Sequence, residues 1–101
     1  MDGFIEITTK DRIPNGQGRM FEVKGIPIAI FNIDGEFYAI NNTCPHRAGN
    51  LSEGYLSGSI VTCPLHAWEF DVKSGNSPAG NNIKVASYKV KIEGDKILVS
   101  L

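Results

Sequence analysis

Two short segments of this sequence contain every cysteine and histidine in the chain. The first holds Cys44 and His46 in the spacing Cys-x-His, and the second holds Cys63 and His66 in the spacing Cys-x-x-His. Sixteen residues separate the segments, and the 101 residues include two Cys and two His. Thiolates and imidazoles are ligands of transition metals. Their concentration in two arms indicates one metal centre rather than four unrelated side chains.

Two kinds of metal centre accept two thiolates and two imidazoles. Structural zinc does so, but zinc fingers usually take both Cys from one arm and both His from the other. A [2Fe–2S] cluster with thiolates on one iron and imidazoles on the other needs one Cys and one His from each of two facing loops. The mixed arms favour the cluster. A non-redox zinc module remains the alternative, and nothing in the sequence favours an interaction domain with an inert site.

The elements that must position these ligands are β-strands. Short runs of Val, Ile, Phe and Tyr are separated by Gly, Asn, Asp and Pro, and no long window shows a helical apolar period. Hairpin turns are predicted at Asp34-Gly35 and Gly94-Asp95. The segment 41–80 is rich in Gly, Pro, Asn and Ser, so it needs something to order it. Strands are predicted at 4–10, 19–25, 26–33, 36–40, 58–62, 67–72, 87–93 and 96–101.

This pattern predicts an all-β fold in a single domain spanning 1–101. The two ends of the chain would form an antiparallel β-sandwich or small barrel. A loop-rich, ligand-bearing lobe, approximately 42–80, would be inserted between them.

Composition excludes several classes of function. The formal net charge is −1, which offers no electrostatic grip on nucleic acid or on an anionic membrane. The longest apolar run, Ile26 to Phe31, is too short to span a bilayer, and the N-terminus has no secretory apolar region. We therefore expect a cytoplasmic protein, in which two cysteines are not expected to form a structural disulfide.

The segments "CPHRAG" and "CPLHAWEFD" resemble the Rieske iron–sulfur signature, and the likeness extends over nearly the whole chain. The longer stretches "NNTCPHRAGNLSEG" and "IVTCPLHAWEFDVKSG" resemble the free-standing Rieske ferredoxins of bacterial multicomponent oxygenases. They also resemble the small subunit of assimilatory nitrite reductases. The motif is highly specific for the cluster and weakly specific for the pathway.

The resemblance implies a Rieske-type fold that carries one [2Fe–2S] cluster. By position, Cys44 and Cys63 would bind the inner iron, and His46 and His66 the outer iron near solvent. Pro78 matches a proline loop that covers the cluster in the family, although an ordinary turn proline is an equal alternative.

The function implied is one-electron transfer rather than catalysis. The donor would be an NAD(P)H-dependent flavoprotein reductase and the acceptor a terminal oxygenase; the alternative is a subunit of nitrite reductase. No further His exists to build a second, oxygen-activating iron site. Docking would be transient, at the cluster tip. The residues expected around that tip are Pro45, Arg47, Leu51, Pro64 and Leu65.

Two further positions bear on the reduction potential. High-potential members of the family have a Ser and a Tyr where this chain has Trp68 and Phe70. They also clamp the two loops with a disulfide, at positions that match Gly49 and Leu65. Hydroxyls near the sulfurs stabilise the extra negative charge of the reduced centre. We therefore expect a potential in the lowest third of the Rieske range of roughly −150 to +300 mV.

Overall fold

The computed structural model describes residues 3–43, 50–64, 68–78 and 83–100 of the chain. These segments contain nine β-strands and two short 3₁₀ turns, at Lys10–Arg12 and Leu51–Glu53. None of the described residues forms an apolar helix long enough to cross a membrane. The strands are β1 (Phe4–Thr9), β2 (Gly18–Val23), β3 (Ile26–Ile33), β4 (Glu36–Asn41), β5 (Tyr55–Ser57), β6 (Ile60–Thr62), β7 (Glu69–Asp71), β8 (Ser87–Glu93) and β9 (Lys96–Ser100).

The predicted all-β fold is confirmed. Six strands form one antiparallel sheet in the order β1-β9-β8-β4-β3-β2, and the other three form a small sheet in the order β5-β6-β7. The two edge strands of the larger sheet, β1 and β2, face each other across a groove lined by Ile5, Ile7, Phe21 and Val23. The large sheet is therefore a nearly closed barrel. The small sheet falls between β4 and β8 in the chain.

Strand β3 is buried on both faces and separates two hydrophobic cores. Side chains alternate along a strand, so neighbouring residues point to opposite faces. Ile28 and Ile30 lie in one core, and Ala29 and Phe31 lie in the other. Burial on both faces explains why this strand is a continuous apolar run in the sequence.

We name these cores by their position. The barrel cluster comprises the buried residues Ile13, Ile28, Ile30, Phe37, Ala39, Ile97 and Val99. The loop-side cluster comprises the buried residues Ala29, Phe31, Ile40, Leu51, Val61, Cys63, Phe70, Val72 and Val85.

Both predicted hairpin turns are present. Asp34 and Gly35 have φ angles of 53° and 88°, which is the left-handed geometry of a tight turn between twisted strands. The turn between β8 and β9 has Gly94 at φ 65°. Register follows from these turns, with Ile33 opposite Glu36 and Glu93 opposite Lys96.

Strand β5, Tyr55–Ser57, was not predicted from the sequence. It has only three residues and lies between Gly54 and Gly58, so its apolar content is too small to show a period of two. Pairing with β6 stabilises it, through Tyr55 opposite Thr62 and Leu56 opposite Val61. The strand therefore depends on its neighbour rather than on its own sequence.

Candidate metal centre

The first segment predicted to bear ligands is closed at its base by backbone pairing. Thr43 and Asn50 form an isolated antiparallel bridge on either side of residues 44–49. One residue further from the loop on each side, the Leu51 amide donates to the Asn42 carbonyl oxygen at 2.8 Å. The two limbs of this loop thus leave the barrel as a short ladder that continues from β4.

Leu51 anchors the returning limb of this loop in the core. Its side chain is fully buried in the loop-side cluster, at 0% exposure. The expectation that Leu51 lies on the docking surface is therefore wrong. The reason is that the 3₁₀ turn Leu51–Glu53 points its first side chain into the loop-side cluster.

The second segment predicted to bear ligands is also closed at its base by a backbone hydrogen bond. The Cys63 amide donates to the carbonyl oxygen of Trp68 at 2.7 Å, and this bond joins the two ends of the segment 64–67 between β6 and β7. The Cys63 side chain is 2% exposed and is not in a disulfide. Pro64, the next residue, is exposed. The chain therefore passes from core to surface within one residue of Cys63.

Backbone hydrogen bonds also join the two chain segments that flank a third loop, residues 78–82. Asn76 and Lys84 form an isolated antiparallel bridge, and the Ser77 amide donates to the Ile83 carbonyl oxygen at 2.9 Å. The Val85 amide donates to the Gly75 carbonyl oxygen at 2.8 Å. Pro78 is the exposed first residue beyond this ladder.

The bases of all three loops pack on one core. Leu51 after the first loop, Cys63 before the second and Val85 after the third are all members of the loop-side cluster. Trp68 and Ile83 pack against the same cluster. The structure therefore brings together the bases of three loops that are far apart in sequence.

A close backbone contact joins the first two loops. A Cβ atom added to Gly54 would lie 2.1 Å from the carbonyl oxygen of Thr62, the residue before Cys63. Only glycine permits this approach, because any side chain would overlap the carbonyl. Gly54 therefore holds the segment that returns from the first loop against the strand that enters the second.

Of the four predicted ligands, Cys63 lies within the described residues. Cys44, His46 and His66 lie outside them, as do Pro45, Arg47, Gly49 and Leu65. What the structure shows is the base of each arm and the position of one thiol.

The chemistry at Cys63 fits an iron–sulfur centre. A thiolate at this position would be a nearly buried charge among apolar side chains. Proteins tolerate buried charges where these are paired or coordinate a metal. Ferric iron and soft thiolate ligands satisfy that requirement. Phe70, in the same cluster, is fully buried, and Trp68 is partly buried and packs against the cluster, so both are core aromatics.

Tyr38 connects β4 of the barrel to the chain that follows β7. Its hydroxyl donates to Glu36 Oε1 at 2.9 Å, and Lys73 Nζ lies 5.6 Å from the centre of its ring. The hydrogen bond to Glu36, burial, and the negative charges of Glu36 and Asp71 raise the pKa of Tyr38. Tyr38 therefore stays neutral beyond the ordinary tyrosine range.

Comparison with known proteins identifies the family of this chain. Residues 3–89 match the Rieske [2Fe-2S] domain. The chain belongs to the Rieske [2Fe-2S] family. Its cofactor is accordingly one Rieske-type [2Fe–2S] cluster.

Curated relatives of this Rieske chain are similar over almost their whole length. The ferredoxin component of a naphthalene 1,2-dioxygenase system from Pseudomonas aeruginosa is 38% identical over 101 residues, which cover 97% of this chain and 95% of the relative. The biphenyl dioxygenase ferredoxin subunit of Pseudomonas sp. (strain KKS102) is 38% identical over 100 residues, covering 95% of this chain and 90% of the relative.

Solved structures of other proteins superpose closely on this fold. The ferredoxin of carbazole 1,9a-dioxygenase from Nocardioides aromaticivorans IC177 superposes with a TM-score of 0.89 at 31% identity, over 96% of each chain. A putative small subunit of an NADPH nitrite reductase superposes with a TM-score of 0.86 at 20% identity, over 97% of this chain and 98% of the other. The second likeness concerns the fold alone.

Sequence reasoning missed two residues of this site, Asn42 and Gly54. Asn42 is 2% exposed and hydrogen-bonds across the base of the first loop. An Asn two residues before a cysteine ligand and a Gly in a Gly-rich segment are both ordinary turn residues in sequence. Only their three-dimensional contacts distinguish them.

Proposed function

We propose that this chain is a Rieske ferredoxin, a one-electron carrier that delivers electrons to a terminal oxygenase. The observation that carries the proposal is the pair of loops 44–49 and 64–67, which leave one hydrophobic core. Each loop, with Cys63 at the foot of the second, supplies one Cys and one His. The relatives named as ferredoxin components of dioxygenase systems support the choice of acceptor.

The four ligands are assigned by motif. Cys44 and Cys63 would hold the inner iron, and His46 and His66 the outer iron. When bound, the cluster supplies a centre that accepts and releases one electron. The segment of approximately 42–80 would be the cluster-binding lobe of a single domain, 1–101.

The remaining residues of the site position and insulate these ligands. The loop-side cluster excludes water from beneath Cys63, and the three backbone ladders fix the directions in which the loops leave the core. A rigid support of this kind limits the rearrangement that accompanies a change of charge, which favours rapid electron exchange.

The electron donor in this proposal is an NAD(P)H-dependent flavoprotein reductase. Docking of both partners would be brief and would use the tip of the loops, where Pro64 and Pro78 are exposed. The expected location is the cytoplasm.

A reconstituted electron-transfer assay tests the proposal. The reductase and oxygenase components of a naphthalene 1,2-dioxygenase system would be mixed with NADH and substrate, without their own ferredoxin. We expect NADH-dependent product formation only when this chain is added, and none with the Cys63→Ser variant. The absence of product with an iron-loaded chain, when the system's own ferredoxin restores turnover, would contradict delivery to an oxygenase.

A nitrite reductase subunit is the competing function. The nitrite reductase subunit that suggests it shares the fold at 20% identity, whereas the naphthalene dioxygenase ferredoxin component from Pseudomonas aeruginosa is 38% identical to this chain. Stable isolation of the chain without a siroheme protein, together with activity in the assay above, is the outcome that we expect.

A further inference from the structure

Every polar group of Asn42, in its backbone and its side chain, makes a hydrogen bond near the base of the first loop. Its backbone amide donates to the Pro27 carbonyl oxygen at 2.9 Å, and its carbonyl oxygen accepts from the Leu51 amide at 2.8 Å. Its side-chain Oδ1 accepts from the Ser52 amide at 2.9 Å, and Nδ2 donates to Asn50 Oδ1 at 3.1 Å. One residue on the outgoing limb thus binds three successive residues on the returning limb.

Because the Asn42 side chain is buried, the loss of any of its hydrogen bonds should cost stability. Asn42 is 2% exposed, so water cannot replace a lost partner without opening the site. Removal of the side chain would leave the Ser52 amide without its partner in the structure. The returning limb would then be held to Asn42 only through the Leu51 amide.

The position of Asn42 connects these bonds to the metal ligands. It lies two residues before Cys44 and four before His46. The limb that it holds continues to Leu51, which packs in the same cluster as Cys63. The angle between the two limbs is therefore fixed relative to the second ligand arm as well as to the barrel.

We propose that Asn42 is a positioning residue for the iron–sulfur centre. It locks the two limbs of loop 44–49 and so fixes the geometry in which Cys44 and His46 meet the ligands of the second arm. This inference rests on the proposed function, since it takes Cys44 and His46 as ligands.

The molecule contains a matched control for this role. Asn32 is the second buried polar residue within the described part of the chain, at 8% exposure. Its side chain also makes two hydrogen bonds, donating to the Ile13 carbonyl oxygen at 2.8 Å and accepting from the Gly35 amide at 2.9 Å. These partners belong to the barrel and its hairpin, and none of them adjoins a ligand arm.

The test compares N42A with N32A in the iron-loaded protein. Two properties are measured: the rate of iron loss to a chelator, and the electron paramagnetic resonance spectrum after reduction. Mutation of residues that orient metal ligands typically weakens metal binding about 10- to 100-fold. We expect N42A to lose iron faster by a factor in that range and to show shifted g values. N32A should lower the unfolding temperature yet keep the parent's spectrum and rate of iron loss.

The inference is overturned if N42A keeps the parent's rate and spectrum. It is also overturned if N32A changes both as much as N42A does, since general destabilisation would then explain the effect. If the unmutated chain binds no iron and sulfide, the proposed function fails instead.

Milder variants decide the matter if N42A does not fold. N42D keeps an oxygen for the Ser52 amide but loses the donor to Asn50, and N50A removes the acceptor of that same bond. N50A also removes the contact from Asn50 Nδ2 to Glu53 Oε2 at 3.5 Å. Each single variant should accelerate iron loss, and the N42D/N50A double variant should show less than the sum of the two effects, because the Asn42–Asn50 bond is lost in all three. Parent-like iron loss in both single variants, or fully additive effects in the double variant, would contradict the role.

Discussion

At the scale of single residues, Phe70 and Trp68 occupy the two positions at which, by the motif, high-potential Rieske proteins carry hydroxyls. Phe70 is fully buried in the cluster that contains Cys63, and neither residue carries a hydroxyl. Hydrogen bonds to the sulfurs and neighbouring charge tune iron–sulfur potentials. A centre without these hydroxyls should be harder to reduce.

We therefore predict a midpoint potential below about 0 mV, in the lowest third of the Rieske range of roughly −150 to +300 mV. Potentiometric titration monitored in the visible region measures it directly. A value above about +100 mV would show that other donors replace the missing hydroxyls.

Tyr38 gives a prediction about pH at the same scale. Because the hydrogen bond to Glu36 raises its pKa in the folded state, the native protein retains this proton at a pH where the unfolded chain has lost it. The contribution to stability is thus fully present below about pH 10 and declines as pH rises through the raised pKa.

Ultraviolet titration of tyrosinate should show one step that disappears in Y38F and moves to lower pH in E36Q. An unchanged Tyr38 step in E36Q would contradict the assigned cause.

At the scale of elements, Gly54 joins the 3₁₀ turn Leu51–Glu53 to the strand β6 that leads to Cys63. An added Cβ would lie 2.1 Å from the Thr62 carbonyl oxygen, although φ is an ordinary −78°. We predict that G54A costs about 1–3 kcal/mol of stability, as overpacking does, and also weakens iron retention.

The control is G16A. Gly16 has φ +80° and nothing within 4 Å of an added Cβ, so this variant introduces backbone strain alone. It should cost about 1–2 kcal/mol and leave iron retention unchanged. Chemical denaturation and the chelator assay together distinguish the two variants. Equal iron retention in both would show that the Gly54 contact does not connect the ligand arms.

Some of the strands could be predicted from the sequence alone. Ile26–Ile33 and Ser87–Glu93 were predicted with their observed ends, because apolar runs or alternation and turn residues bound them clearly. A strand of three residues such as β5 carries no period of two, and the polar neighbours of Leu51 in sequence do not indicate that its side chain is buried. Such features depend on tertiary contacts. The four proposed ligands could be chosen from the sequence because the chain has no other Cys or His, whereas Asn42 and Gly54 could not.

At the scale of the whole molecule, one hydrophobic core stabilises the barrel and the other supports the bases of the three loops. The barrel cluster is built by residues outside the ligand arms, whereas the loop-side cluster includes Leu51, Cys63 and Val85 at the bases of all three loops. Loss of the metal should therefore loosen one core more than the other.

We predict that iron removal increases hydrogen exchange at the amides of Leu51, Cys63 and Val85, while β3 and β9 keep their protection. These three amides make the backbone hydrogen bonds that close the loops. Hydrogen–deuterium exchange of the loaded and the metal-free protein, read by mass spectrometry, measures this contrast. Uniform loss of protection across the barrel would show that folding as a whole depends on the metal.

In the ligand set that we propose, each of two loops supplies one thiolate and one imidazole to a single [2Fe–2S] centre. Pulsed electron paramagnetic resonance of the anaerobically reduced protein detects the imidazoles, because nitrogen bound to iron gives resolved hyperfine couplings. We predict couplings from two nitrogen nuclei, with one lost when either His46 or His66 is replaced. A reduced cluster without nitrogen couplings, or a chain that holds zinc in place of iron and sulfide, would contradict it.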